Sequence, residues 1–440
     1  MKLSRLLIVV ILFHFLIPAR AQDPVITLEE VIALALEKNY DVLVFKNLAY
    51  SAATDDKFAP GAFLPVVNAN GIRSWNRSHS KQTLANDSIV DRPGIRTNNL
   101  IGNIQLNWLL FDGGRMFATR ERIAQIEAQG ELEVKNQMVN TIAQVVTGYY
   151  DIVRQKQQLN AIREQMGVSE ERVRLADRRL SVGTAAKPEL LQAKVDLNSQ
   201  RTAVLVQQTL IAQLKDQLNG LVANGLPPLY EVSDSIILNL DIKEEDIATN
   251  IENTNYSLMS AKRDQDIAAL QLRERKGEKY PFVNFNSSYN FTRNESNQAT
   301  NPFSPLTNQN TGLNYGFSVT LPIINGFLNR RNIQQARITV DRTTLLYQQS
   351  KLIIDVGVKN AYVSYENAKA VLLIEEENIL LARENLYITL ETFKRGATTF
   401  IELRTAQQSL ADAYNRLINA RYLAKVAETE LLRLNGDLLK

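Results

Sequence analysis

The stretch NLIGNIQLNWLLFDGG, residues 99–114, decides the fold. With a two-residue period, Leu100, Gly102, Ile104, Leu106, Trp108 and Leu110 share one face, while Asn99, Asn103, Gln105 and Asn107 share the other. This is a strand with an apolar side and a wet one. Alone, it reads as a half-buried strand of a soluble sheet. Its surroundings change that reading.

The second half of the chain repeats the pattern more cleanly. In FVNFNSSYNF (282–291), Val283, Phe285, Tyr289 and Phe291 alternate with Asn284, Asn286, Ser288 and Asn290. In LNYGFSVTL (313–321), Leu313, Tyr315, Phe317, Val319 and Leu321 alternate with Asn314, Gly316, Ser318 and Thr320. A fourth candidate strand, near 66–75, alternates poorly. Runs of about ten residues suit tilted strands crossing a bilayer, with the apolar face toward lipid. The amide and hydroxyl face suits a water-filled lumen. Trp108, Tyr289 and Tyr315 are candidates for the interfacial aromatic belts. Four strands cannot close a barrel, since the smallest membrane barrels have about eight, and an open edge in lipid leaves backbone groups unpaired. Several chains must therefore pool their strands.

The address agrees with a membrane beyond the cytoplasm. Lys2 and Arg5 precede the apolar run LLIVVILFHFLI (6–17), and Ala19-Arg20-Ala21 offers a small-x-small cleavage site, so residues 1–21 read as a secretory signal peptide. The run is shorter than the roughly 20 residues of a spanning helix. There is no cysteine, which excludes disulfides and anchoring through a lipidated cysteine. Removing the signal takes three basic residues and no acidic one, so the formal charge falls from +3 to zero. A neutral mature chain has no field that would draw nucleic acid.

Matched phrases recur along the chain. Asn39-Tyr40 returns as Asn255-Tyr256 and Pro65 as Pro281, 216 residues on; Asp112-Gly113 returns as Asn325-Gly326 and Gly183 as Gly396, 213 on; Leu218-Asn219-Gly220 returns as Leu434-Asn435-Gly436. The chain therefore divides into a signal peptide and two structural repeats, 22–220 and 221–440. Each repeat reads helix, strand pair, long helical hairpin: strands near 66–75 and 99–111 with a hairpin over 114–219, then strands near 282–291 and 313–321 with a hairpin over 327–435. Thr27 and Glu30 form a capping box before the first helix. Residues 76–98, rich in Asn, Ser and Asp, read as a loop.

The hairpins carry apolar seams. Ile142, Val145, Tyr149 and Ile152, then Leu159, Ile162, Met166, Val173, Ala176 and Leu180, step by three and four on a coiled-coil pattern. Leu190, Leu197, Val204, Ile211 and Leu218 recur every seven residues. The last helix is stricter, from Leu403, Ala406 and Leu410 to Leu431 and Leu434. Gly183 and Gly396 stop the incoming helices, and the hydroxyls of Thr184, Thr398 and Thr399 are placed to cap the outgoing ones. Glu375-Glu376-Glu377 and the Arg172, Arg174, Arg178, Arg179 group read as solvated helix faces.

Catalytic chemistry is missing. The mature chain keeps one histidine, His79, in a polar stretch; no phosphate-binding glycine motif occurs, and no nucleophile, base and orienter trio is visible. No enzyme, cofactor or metal site is expected.

The duplicated layout, the phrases WLLFDGG and LPIINGF, and the turn phrases SVGTAAKPELLQA and RGATTFIELRTA together resemble the TolC-like outer membrane efflux proteins. That resemblance implies an α+β membrane protein. Four transmembrane β-strands from each of three chains would form a twelve-stranded β-barrel, continuous with a long α-helical coiled-coil barrel in the periplasm. It implies an exit duct working by gated diffusion with a periplasmic adaptor and an inner-membrane transporter. The adaptor would dock at the turns, here Val182, Gly183 and Thr184, and Arg395, Gly396 and Ala397. The pore would narrow nearby, at Glu402 and its counterpart Glu189. Thr405 stands where a second acidic residue can occur, which thins any acidic ring. The rival reading is a soluble periplasmic coiled-coil scaffold or adaptor, which explains the heptads but not the Asn-faced strands.

Overall fold

A computed structural model describes residues 24–184, 186–248, 250–299 and 303–439; the expected signal peptide lies outside them. In chain order the elements are α1 (Leu28–Lys38), α2 (Tyr40–Phe58), β1 (Val66–Thr83), β2 (Ile89–Asp112), α3 (Arg115–Ser181), α4 (Lys187–Leu221), the short α5 (Glu244–Ala248) and α6 (Ile251–Thr254), α7 (Tyr256–Gly277), β3 (Phe282–Ser296), β4 (Thr307–Thr320), α8 (Leu328–Lys394) and α9 (Phe400–Asn435). Helix, strand pair, long helix and second helix thus recur in the same order. Both long helices, α3 and α8, run 67 residues. No helix among the described residues is long and apolar enough to cross a membrane.

Two compact units result. The first gathers the described residues of Met1–Asn47, Leu132–Met259 and Lys351–Lys440; the second gathers Leu48–Glu131 and Ser260–Ser350. The first unit is helical, and the seams supply its core. Ile142, Val145, Tyr149 and Ile152 are buried with Val31, Ala35 and Leu218, while Leu403, Ala406, Leu410, Ala413 and Leu417 are buried with Leu372, Ile379 and Phe393. The spacing of three and four places these side chains on one stripe per helix, and burying that stripe, more than intrinsic propensity, holds helices of this length. The box expected at Thr27 forms: Thr27 N donates to Glu30 at 2.9 Å and Glu30 N to Thr27 Oγ1 at 3.3 Å.

The chain segment leaving α4 is strapped to the same core. Tyr149, fully buried, donates its hydroxyl to Ile26 O at 2.9 Å and accepts from Ser233 N at 3.0 Å. Beside it Glu231 meets Lys156 and Lys215, each at 2.9 Å. Burial disfavours the charged carboxylate, but the hydrogen bonds from the two ammonium groups outweigh it and hold Glu231 below its ordinary value of 4.5. A depressed folded pKa contributes stability above the unfolded value and loses it as pH falls through the folded one. Glu231→Gln is therefore expected to lower the thermal midpoint at pH 7 and to lower it progressively less below about pH 4.5. An equal drop at pH 7 and pH 3 would show that the carboxylate charge is not what matters.

The second unit carries one antiparallel sheet, β1-β2-β3-β4. The strands exceed the expected bounds. Residues 76–98, expected as a loop, are mostly strand, with β1 pairing β2 as far as Thr83↔Ile89. His79, expected in a loop, lies on β1, its Nε2 2.5 Å from Asp91 Oδ1. The physical reason is that backbone pairing needs no alternation: where both faces are wet, Asn, Ser and Arg occupy a ladder without leaving a periodic trace.

Candidate functional site

The register shows which side chains share a face, because residues directly opposite in an antiparallel pair point the same way. Across β2, β3 and β4 the rows read Trp108, Phe285, Phe317; Leu106, Ser287, Tyr315; Ile104, Tyr289, Leu313; and Gly102, Phe291, Thr311. Leu100 opposes Arg293, and Val283 opposes Val319. Twelve of the residues expected toward lipid thus fall on one side of the sheet, including Leu100, Val283 and Val319. The rings of Phe285 and Phe317 meet there at 5.1 Å. Trp108 Nε1 donates to Phe63 O at 2.8 Å, so the indole's one donor is satisfied while its ring lies on the apolar face.

Leu110 departs from this order. The register shifts between Leu109 and Phe111, so Phe111 opposes Val283 and joins the apolar row instead. A bulge adds one residue to one strand and resets its alternation, which a two-residue period carried past Trp108 does not anticipate.

The opposite side is a field of amides and hydroxyls. Asn70 Nδ2 donates to Asn103 Oδ1 at 3.0 Å, Gln105 Nε2 to Asn107 Oδ1 at 3.3 Å, Asn286 Nδ2 to Ser318 Oγ at 3.1 Å and Asn290 Nδ2 to Ser288 Oγ at 3.0 Å. From Val66 to Asn76 on β1, and across the residues paired with that face on the other strands, no side chain of this side carries a charge.

The two hairpin turns are built alike. After α3, Gly183 (φ 72°) donates to Leu180 O at 3.0 Å and Thr184 N to Arg179 O at 2.8 Å; after α8, Gly396 (φ 75°) donates to Phe393 O at 3.0 Å and Ala397 N to Thr392 O at 3.0 Å. Both are left-handed glycine closures with the same pair of crossing hydrogen bonds. Val182, Gly183, Thr184, Arg395, Gly396 and Ala397 are all exposed.

Capping differs from expectation in the first turn. The α4 N-cap is Ala186, without a side-chain bond, and the Thr184 hydroxyl donates backward to Arg179 O at 3.1 Å because the left-handed Gly183 turns it toward the helix it has left. In the second turn Thr399 caps α9 and Thr398 instead donates to Thr392 Oγ1 at 2.8 Å. Glu402 closes the box, accepting from Thr399 N at 2.9 Å and donating its own N–H to Thr399 Oγ1 at 3.2 Å. Glu189 lies 3.7 Å from Arg179. Thr405 donates to Ile401 O at 3.0 Å. Glu402 and Thr405 are exposed, and each of these three has its own local partner.

Two charged groups expected on solvated faces are buried. Arg172, 2% exposed, forms an ion pair with Asp196, donates to Gln407 Oε1 at 2.7 Å and lies 4.9 Å over the Phe400 ring. Burial draws its pKa below the ordinary value against the opposing pull of Asp196, and the guanidinium stays cationic. Arg404 Nε approaches the same carboxylate at 3.6 Å. Glu375 is likewise buried, held by Arg416 at 3.0 Å. Arg174 and Arg178 are exposed as expected, both on Glu171. The signal for Arg172 is its phase: Ser169, Arg172 and Ala176 step by three and four and are all buried, two small residues making room for one long one.

The sequence model of the outer membrane efflux protein family matches residues 31–224 and 248–437, once in each half. The outer membrane efflux protein BepC of Brucella suis biovar 1 is 25% identical over 389 residues, 86% of this chain and 78% of BepC. The outer membrane protein TolC of Salmonella enteritidis is 20% identical over 372 residues, 80% of this chain and 74% of TolC. The crystal structure of the Campylobacter jejuni CmeC outer membrane channel superposes with a TM-score of 0.77 at 17% identity, covering 93% of this chain and 85% of CmeC. With both halves matched and the fold shared, the chain belongs to the outer membrane efflux protein family, channels of the outer membrane with a large helical part in the periplasm.

Proposed function

We propose that three copies of this chain pool their strands into a twelve-stranded barrel and form the outer membrane exit duct of a tripartite export assembly. The observation that carries this is the sheet itself. From the row of Val283 and Val319 to that of Gly102 and Phe291 one face is mostly apolar, the other is uncharged and mostly amide and hydroxyl, and the outer edges of β1 and β4 have no partner strand among the described residues. An unpaired edge in lipid is untenable, and the edges of neighbouring copies are the partners at hand. The repeats 22–220 and 221–440 are read as products of a duplication, following a cleaved signal at 1–21.

Transport is diffusion with no chemical step. The exposed turns at Val182, Gly183 and Thr184 and at Arg395, Gly396 and Ala397 are the proposed docking points for a periplasmic adaptor that couples the duct to an inner-membrane transporter. Glu402, Glu189 and Thr405, near those turns, are the proposed constriction. Opening follows from whichever state the adaptor binds more tightly, since a ligand shifts an equilibrium only by its difference in affinity. The mass of the detergent-solubilised oligomer and its conductance in a planar bilayer test this reading: a non-conducting monomer would sink it. In the same recording Glu402→Ala is expected to lower cation over anion selectivity, and unchanged selectivity would remove Glu402 from the constriction.

A further inference from the structure

At the end of the sheet away from its helical connections, the apolar face turns cationic. Above the row of Gly102 and Phe291, the register places Arg73, Leu100 and Arg293 in one row, Trp75, Asn98 and Glu295 in the next, and Arg77 opposite Arg96 in a third. Arg96 N donates to Asn297 Oδ1 at 2.7 Å, which brings Asn297 to the end of that third row. A cleft of about 430 Å³ lies at these last two rows, lined by Trp75, Asn98, Glu295, Arg77, Arg96 and Asn297. Six of its nine lining residues belong to these rows, with Asn76, Thr97 and Ser296 of the intervening row completing it, so the cleft is set mainly on the side of the sheet that carries Ile104, Tyr289 and Leu313.

The charges within it are unbalanced. Glu295 is engaged by Arg293 at 2.6 Å and by Asn98 Nδ2 at 3.3 Å. Arg73 lies 5.1 Å over the Trp75 ring, which is 71% exposed. Arg77 and Arg96 have no carboxylate partner among the described residues, and like charges directly opposite on neighbouring strands repel. Two facing guanidinium groups, an aromatic plate and amide donors in one cleft match a phosphate flanked by sugar.

We propose that this cleft binds the phosphorylated sugar headgroup of a glycolipid in the outward-facing leaflet, with Arg77 and Arg96 on the phosphate and Trp75 at the interface. The ligand is a lipid and not free phosphate because the cleft shares a side of the sheet with the apolar rows and is separated from them only by the row of Arg73, Leu100 and Arg293, so acyl chains lie along Ile104, Tyr289 and Leu313 while the headgroup reaches the arginines. This rests on the reading above that the apolar face meets lipid.

The test uses the full chain purified in detergent and reconstituted into nanodiscs containing either a bisphosphorylated glucosamine glycolipid or its dephosphorylated counterpart, with bound lipid counted by native mass spectrometry. Retention of the phosphorylated form is expected, with at least a tenfold loss in Arg77→Gln/Arg96→Gln. Channel insertion and conductance should be unchanged in that variant, and Arg77→Gln alone should show an intermediate loss. Equal retention of both glycolipids, or unchanged retention in the double variant, overturns the proposal. So does displacement by millimolar inorganic phosphate, which would identify a site for the free anion. A wild-type chain that does not insert at all refutes the lipid-facing reading itself, whereas an inserting, conducting variant with unaltered retention refutes only the headgroup site.

Discussion

Ile104→Arg is expected to abolish stable insertion, while Asn103→Arg, one residue away, should insert and alter conductance. Ile104 sits mid-face in the row of Ala69, Tyr289 and Leu313, and Asn103 in the opposite field with Asn70 and Asn290. A guanidinium on the lipid side near the bilayer midplane costs about 2–4 kcal/mol, whereas on the lumen side it keeps its water. If three chains share one barrel the penalty is incurred three times, which is roughly 6–12 kcal/mol and comparable to a domain's whole stability. The readout is the fraction of protein released from membranes only by detergent, followed by single-channel recording. Normal insertion of Ile104→Arg with failure of Asn103→Arg would mean that the two faces are assigned the wrong way round.

Asp196→Ala is expected to loosen the ends of the helical hairpins by about 3 kcal/mol, the lower part of the range for removing one member of a buried ion pair. Arg172 would be left enclosed with only Gln407 and the Phe400 ring, and a buried guanidinium cannot discharge itself by losing its proton. Because Arg172 lies on α3, Asp196 on α4 and both Phe400 and Gln407 on α9, the loss is shared by three helices. Backbone amides around 172–196 should exchange with solvent roughly a hundredfold faster, since each 1.4 kcal/mol is a factor of ten. Arg172→Met/Asp196→Leu, which removes both charges and fills the space, should restore most of the protection. A double variant as loose as the single one would show that the pair matters for something other than charge compensation.

The helical half of this architecture was legible because its seams follow a single rule. Leu403, Ala406, Leu410 and Ala413 are spaced by three and four and are buried together. The two glycine turns were legible for the same reason, a left-handed backbone position marked by one residue type. The sheet was legible only where its two faces differ in polarity. Between Asn76 and Asn98 polar side chains predominate on both sides, so the strand continues with no trace in the pattern, and the bulge beyond Leu109 reset an alternation that the letters continue. Arg172 and Glu375 were misread because a helix face looks solvated until its neighbours are known. Their partners come from far along the chain, Asp196 and Gln407 for one and Arg416 for the other. The residues read as lipid-facing share one side of the sheet, whereas the tip network was missed.

The neutrality of the amide face has its own consequence. Asparagine, glutamine and serine neither gain nor lose protons in the physiological range, and they offer donors and acceptors in equal measure to any solute. Where that face lines the proposed duct it adds no fixed ions to concentrate or repel a permeant, so the barrel's own contribution to conductance is expected to be insensitive to pH and to the sign of what passes, leaving the expected cation preference to Glu402. Discrimination among cargoes then has to be exercised before they reach the bilayer, at the far ends of the helices or in the proteins that load them.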